Sequence, residues 1–237
     1  IVLDGQQLVN LPEPALRKLR GVQVSYVAQS AAAAFNPAHS LMDQFIEAPV
    51  QHGRFKKHEA QERGRQLFRQ LQLPDPDHIG QRYPHQVSGG QLQRMMTAMA
   101  MGCQPEIVVF DEPTTALDVT TQIEVLSAIK EAVRARASAA IYITHDLAVV
   151  AQVSDRIMVL RDGDLIEQGN TRALLADPQE NYTRRLLSVR SSRNKRVVAE
   201  ETDVVLNVEG VTARYPGTQV DVLCNIDVQV ERGRTVA

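Results

Sequence analysis

The sequence predicts an α/β fold with a parallel sheet, an inserted helical stretch and a C-terminal antiparallel β segment, on three observations. Two short apolar runs, Ile107 to Phe110 and Ala139 to Ile143, read as buried strands. Between them, Val119 to Arg136 carries apolar residues at 119, 123, 126, 129 and 133, the spacing of a helix with one buried face. Strands separated by a helix of this length pair in parallel. Near the C-terminus, Val204 to Tyr215 and Val222 to Val230 alternate apolar with polar residues on either side of Pro216-Gly217, the pattern of an antiparallel pair.

In chain order, Ile1 to Leu3 followed by Asp4-Gly5 reads as a strand entering a turn. Pro12 to Arg20 reads as a short helix ended by Gly21. Val22, Val24 and Tyr26 alternate with polar residues as a strand does. From Ser40 to Leu73 the pattern is helical, interrupted by Pro49 and Gly53, and its many charges read as a solvated face. After Pro74 to Asp77 a helix is expected from Ser88 to Cys103. Asp162-Gly163, between Arg156 to Leu160 and Asp164 to Gln168, is a hairpin turn, and short helices start near Thr171 and Asn181. Arg184 to Arg196 holds six basic residues and no acidic one, which reads as an exposed linker.

Composition excludes several classes of function. With 237 residues the chain makes one large domain or two small ones, and 43% hydrophobic residues supply a core. No apolar run approaches the roughly 18 residues of a spanning helix. A net charge of -2, with ten aromatics and no Trp, argues against nucleic acid as a partner. Two cysteines, Cys103 and Cys224, form no disulfide framework and suit a reducing compartment.

The strongest chemical signal is Ile107-Val-Val-Phe-Asp-Glu112. A buried strand here delivers two adjacent carboxylates to the C-terminal edge of a parallel sheet, where open α/β folds bind ligands. Both stay ionised most easily when a cation or a polarised water shares the site. In phosphoryl transfer one such carboxylate holds Mg²⁺ and the other orients or deprotonates the attacking water. Thr144-His145-Asp146 ends the next strand, 33 residues after Glu112, so His145 reaches the same edge if the two strands are neighbours. Upstream, Val87-Ser-Gly-Gly-Gln-Leu-Gln-Arg94 places Ser88 as an N-cap before Gly89 and Gly90. Glycines are poor helix formers, but they leave backbone N–H groups uncovered at the positive end of a helix, as phosphate binding requires.

Together, Val87 to Arg94, Asp111-Glu112, the Ala116-Leu117-Asp118 turn and His145 resemble, in order and spacing, the ATP-binding subunits of ABC transporters. The resemblance covers residues 1 to about 190 and implies a P-loop NTPase core with a helical subdomain at about 38 to 103. Gln29 matches the family's glutamine loop. Phe35-Asn36-Pro37, Tyr83-Pro84-His85-Gln86 and Tyr182-Thr183 look most like importers of dipeptides, oligopeptides, glutathione and nickel. The resemblance implies ATP and Mg²⁺ as cofactors. It assigns Mg²⁺ to Asp111 and Gln29, catalysis to Glu112 with His145 and Gln29, and nucleotide contacts to Ser88, Gly89, Gly90, Gln91 and Asp118. The implied partners are a second ATPase domain (in the same parent chain or a homodimer), transmembrane permease subunits and, indirectly, a solute-binding protein, with no nucleic acid. The implied location is peripheral, on the cytoplasmic face of the inner membrane.

Three departures stand out. Ala31 to Ala34 follow Gln29 and Ser30 where relatives often carry Asp-Pro and polar residues, and Val87 replaces a common Leu. No G-x-x-x-x-G-K-[ST] phosphate loop occurs in the 237 residues. Residues 204 to 237 resemble the opening of a second ABC domain after a linker at 191 to 203, with Tyr215 placed to stack on adenine. These features lead to the expectation that the chain is a window between two phosphate loops of a tandem ATPase, inactive by itself. The alternatives are an ABC-type ATPase outside transport, such as a carbon-phosphorus lyase accessory protein, or an assembly module without turnover.

Overall fold

The computed structural model describes residues 1–114, 117, 119–188, 203–217, 219–234 and 236. Two compact units emerge, Ile1–Val189 and Arg190–Ala237. The expected linker at 191 to 203 lies, except for Asp203, outside the described residues.

The first unit begins with a small antiparallel pair, β1 (Val2–Leu3) and β2 (Gln6–Gln7), joined by Asp4-Gly5, both at positive φ. Helix α1 (Glu13–Leu19) follows, with Pro14 in its first turn, where a missing N–H costs nothing. Strand β3 (Val24–Val27) leads to Gln29 and a short helix α2 (Ala31–Ala34) capped by Ser30. The four alanines that set this segment apart are thus helical, in keeping with their propensity. Behind them the buried Gln44 holds the Phe35-Asn36-Pro37 loop. Its Oε1 accepts the Asn36 N–H at 2.8 Å, and its Nε2 donates to the Asn36 and His39 carbonyls at 3.0 Å.

The helical layer comprises α3 (Leu41–Gln51), α4 (Lys57–Gln70) and α5 (Gly89–Met101). The sequence suggests a break at Pro49, but α3 runs through it. The proline sits in the last turn, and the helix stops at Gly53, whose φ is +64°. Phe45 and Phe68 meet edge to face at 5.5 Å and centre this layer.

Strands β4 (Ile107–Asp111) and β5 (Ala139–Ile143) flank α6 (Val119–Ala135), as the periodicity predicts. The sheet order is β3-β4-β5, all parallel, with Val24 opposite Ile107 and Ile107 opposite Ala139. One face of the sheet, carrying Val27, Val108 and Phe110, shares the core with α5 and α6. The other face is open, so β5 is not the fully buried strand its composition suggests. Ile141 and Ile143 alternate outward while Ala140 and Tyr142 face the core.

After α7 (Leu147–Val153), β6 (Arg156–Arg161) and β7 (Asp164–Asn170) form the expected hairpin, with Asp162 and Gly163 both at positive φ. Helices α8 (Thr171–Ala176) and α9 (Asn181–Ser188) close the unit, and Glu167 accepts the Gln179 and Glu180 N–H groups ahead of α9. In the second unit, β8 (Val204–Ala213) pairs antiparallel with β9 (Leu223–Glu231). The cysteines are free thiols, Cys103 buried and Cys224 exposed. Among the described residues no helix is long and apolar enough to cross a membrane.

Candidate nucleotide site

Because β4 and β5 are neighbours in register, with Asp111 opposite Ile143, their C-terminal ends deliver Asp111, Glu112 and His145 to one edge. Glu112 adopts φ +44°, an unusual conformation for a side-chain-bearing residue, while its N–H donates to the Ile143 carbonyl at 2.8 Å. That kink turns two consecutive carboxylates to different partners. Glu112 Oε2 accepts from Gln29 Nε2 at 2.7 Å, and its Oε1 lies 2.7 Å from His145 Nδ1. A carboxylate only accepts, so Nδ1 carries the proton and Nε2 faces away from Glu112. Asp111 Oδ2 accepts the Tyr26 hydroxyl at 2.5 Å from the neighbouring strand β3. The bond to Asp111 pushes the Tyr26 phenol above its ordinary range.

The structure thus brings together Gln29, Asp111, Glu112 and His145. The sequence groups Tyr26 with Val22 and Val24 as the apolar side of an alternating strand, but in β3 Ser25 and Val27 are buried and Tyr26 is exposed. The face that packs on the helical layer is set by strand order, as is the link from Tyr26 to Asp111. Asp118 and Ala116 lie outside the described residues. Tyr215 belongs to the second unit, where its ring is largely exposed.

At the start of α5 the Ser88 and Gln91 side chains serve each other's backbone. Ser88 Oγ accepts the Gln91 N–H at 3.3 Å, and Gln91 Oε1 accepts the Ser88 N–H at 3.2 Å. This reciprocal cap follows from the spacing Ser-x-x-Gln. The two glycines between them differ. A Cβ on Gly89 meets nothing within 4 Å, whereas one on Gly90 lies 2.5 Å from Thr121 Cγ2 in the first turn of α6. A side chain at Gly90 would therefore force Thr121 to shift, while Gly89 leaves the backbone at the helix start open.

The donors suit part of a magnesium nucleotide site. Mg²⁺ takes hard oxygens, commonly one or two carboxylates completed by phosphate and water. Asp111 and the Gln29 amide offer such oxygens, and the open Gly89 backbone suits an anion. No group of three or more His, Cys, Asp or Glu side chains among the described residues forms a metal cage.

A parallel sheet ending in an acid pair, with a glutamine on one side and a histidine on the other, is the arrangement of an ATP-binding cassette. The family model described as ABC transporter matches residues 1–115. The metal-staphylopine import ATP-binding protein CntD of Staphylococcus aureus is 37% identical over 194 residues, covering 82% of this chain and 72% of CntD. The dipeptide transport ATP-binding protein DppD of Bacillus subtilis is 40% identical over 79% of the chain and 56% of its own length. The peptidoglycan transport ATP-binding protein YejF of Agrobacterium fabrum is 34% identical over the whole chain but only 45% of its own length. The chain thus spans about half the length of several curated relatives. Among solved structures, the dimeric bacterial ABC transporter cassette MJ0796 superposes with a TM-score of 0.63 at 25% identity over 72% of each chain. This chain belongs to the ATP-binding proteins of the ABC transporter family.

Proposed function

We propose that the chain is part of an ATP-hydrolysing subunit that energises import of peptide-like or metal-chelate solutes. The observation that carries this reading is Glu112, held from both sides by Gln29 and His145 at 2.7 Å. Two fixed contacts on one carboxylate orient it as a base toward an attacking water. His145 donates to Glu112 from Nδ1, so Nε2 can donate to a phosphate oxygen only from the imidazolium form. Asp111 and Gln29 are assigned to Mg²⁺, which when bound neutralises developing phosphate charge. Ser88, Gly89, Gly90, Gln91 and Asp118 are assigned to a nucleotide held by a second ATPase domain, and Tyr215 to adenine.

CntD belongs to a metal-staphylopine import system, and DppD and YejF are dipeptide and peptidoglycan transport proteins, which supports a transport role, import in the first case, and the choice of solute class. Permease subunits are the membrane partners in this reading, with a solute-binding protein acting through them, at the cytoplasmic face of the inner membrane. A surface groove lined by His39, Asp43, Gln44, Glu47, Val50 and Gln51 beside α3 offers such a partner a seat. The alignment of YejF along the whole chain supports reading residues 204 to 237 as the opening of a second cassette.

The 237 residues contain no G-x-x-x-x-G-K-[ST], so purified alone they are expected not to turn over. A longer form carrying that loop is expected to hydrolyse ATP and to lose about 100-fold or more in kcat on Glu112→Gln. Full turnover by that variant overturns the role of Glu112. Robust turnover by the 237-residue chain overturns its dependence on a separate phosphate loop.

A further inference from the structure

We infer that the first turn of α6 is the hub that sets the three site segments in register, and that Gln122 is its positioning residue. The inference rests on the nucleotide-site reading above. Thr121 lies against Gly90, so closely that an added Cβ there falls 2.5 Å from Thr121 Cγ2. One residue on, the Gln122 amide Nε2 donates to Thr114 Oγ1 at 3.2 Å and lies 3.5 Å from Asp146 Oδ2. Thr114 is buried and stands two residues after Glu112. Asp146 follows His145, and its N–H donates to Thr144 Oγ1 at 3.0 Å. Consecutive side chains of one helical turn therefore touch the Ser88-to-Gln91 turn, the Asp111-to-Thr114 segment and the Thr144-to-Asp146 segment.

The chemistry suits the task. A primary amide has two N–H donors on one nitrogen, so it can serve a hydroxyl and a carboxylate together. The bond between His145 and Glu112 fixes those two side chains to each other, and Gln29 ties Glu112 to the end of β3. Gln122 joins the loops that carry them to a helix whose Val125, Ala128, Ile129 and Ala132 are buried in the core. Thr121 places the glycine turn of α5 on the same helix, so a shift of α6 moves all three segments as a set.

The test uses amide hydrogen exchange of the 237-residue chain with Gln122→Met and Gln122→Glu. Methionine keeps length and packing but donates nothing, and glutamate adds a charge facing Asp146. Gln122→Met is expected to speed exchange in peptides covering 112 to 114 and 144 to 147 by about five-fold, the loss of a modest hydrogen bond. Amides of β4 and the body of α6 are expected to hold their protection. Gln122→Glu is expected to act more strongly on 144 to 147 than on 112 to 114. Unchanged exchange in both loops overturns the inference. So does faster exchange throughout the unit in step with a lower melting temperature, the mark of a purely structural residue. In a longer form with a phosphate loop, Gln122→Met is expected to lower kcat while leaving KM for ATP within about two-fold. Unaltered kcat beside loosened loops overturns the positioning role. Absence of turnover in the unsubstituted longer form defeats the ATPase reading alone, and the exchange result then decides the hub.

Discussion

On one face of the β3-β4-β5 sheet Val27, Val108 and Phe110 are fully buried against the helical layer, whereas on the other Tyr26, Ile141 and Ile143 are 58%, 51% and 50% exposed. The same strands supply both faces, because successive side chains of a strand point to opposite sides. Parallel sheets generally have both faces covered, so the difference sorts the residues by what they do. The covered face contributes stability. The open face contributes geometry, since Tyr26 and Asp111 share it and meet at 2.5 Å near the candidate site.

The sharpest way to break this comparison is a truncation on each face. Phe110→Ala removes a fully buried ring stacked on Tyr142 at 4.7 Å and is expected to cost about 3 to 5 kcal/mol, read from the midpoint of urea unfolding. A loss below 1 kcal/mol, on the order of a surface substitution, would mean that the covered face is not where stability resides.

A smaller effect of opposite sign is expected at Tyr142. Burial pushes its phenol well above the ordinary range, and its hydroxyl has no partner among the described residues. Tyr142→Phe keeps the stack and removes the unpaired group, so it is expected to raise stability by about 1 kcal/mol. A melting temperature that falls instead would show that the hydroxyl is satisfied.

The smallest change belongs to the open face. Ile141→Thr preserves β-branching and is expected to shift stability by no more than about 0.5 kcal/mol. A loss approaching that of Phe110→Ala would erase the distinction between the faces.

Much of this arrangement was legible in the residues themselves. The helical period of Val119 to Arg136 and the Asp162-Gly163 turn appear where their spacing places them, because both signals are local. Ser-x-x-Gln likewise announces the reciprocal cap at Ser88. Other features were hidden because they depend on contacts distant in sequence. Tyr26 and Asp111 are 85 positions apart, and Gln122 and Asp146 are 24 apart. Pro49 misleads for a different reason. Proline is expensive inside a helix, but α3 has only two more residues after it.

The sequence by itself determined the chemistry available. An acid pair ends one apolar strand, a histidine follows another, a glutamine follows a third, and a glycine turn opens a helix. These are matters of residue type and short spacing, which local propensity and side-chain periodicity decide. Only the tertiary structure decided that the three strands are neighbours in register, that Glu112 adopts a left-handed kink between Gln29 and His145, and that Gly90 rather than Gly89 is pressed against α6. Those outcomes follow from packing around a shared core, where the cost of a void or a clash depends on residues far along the chain.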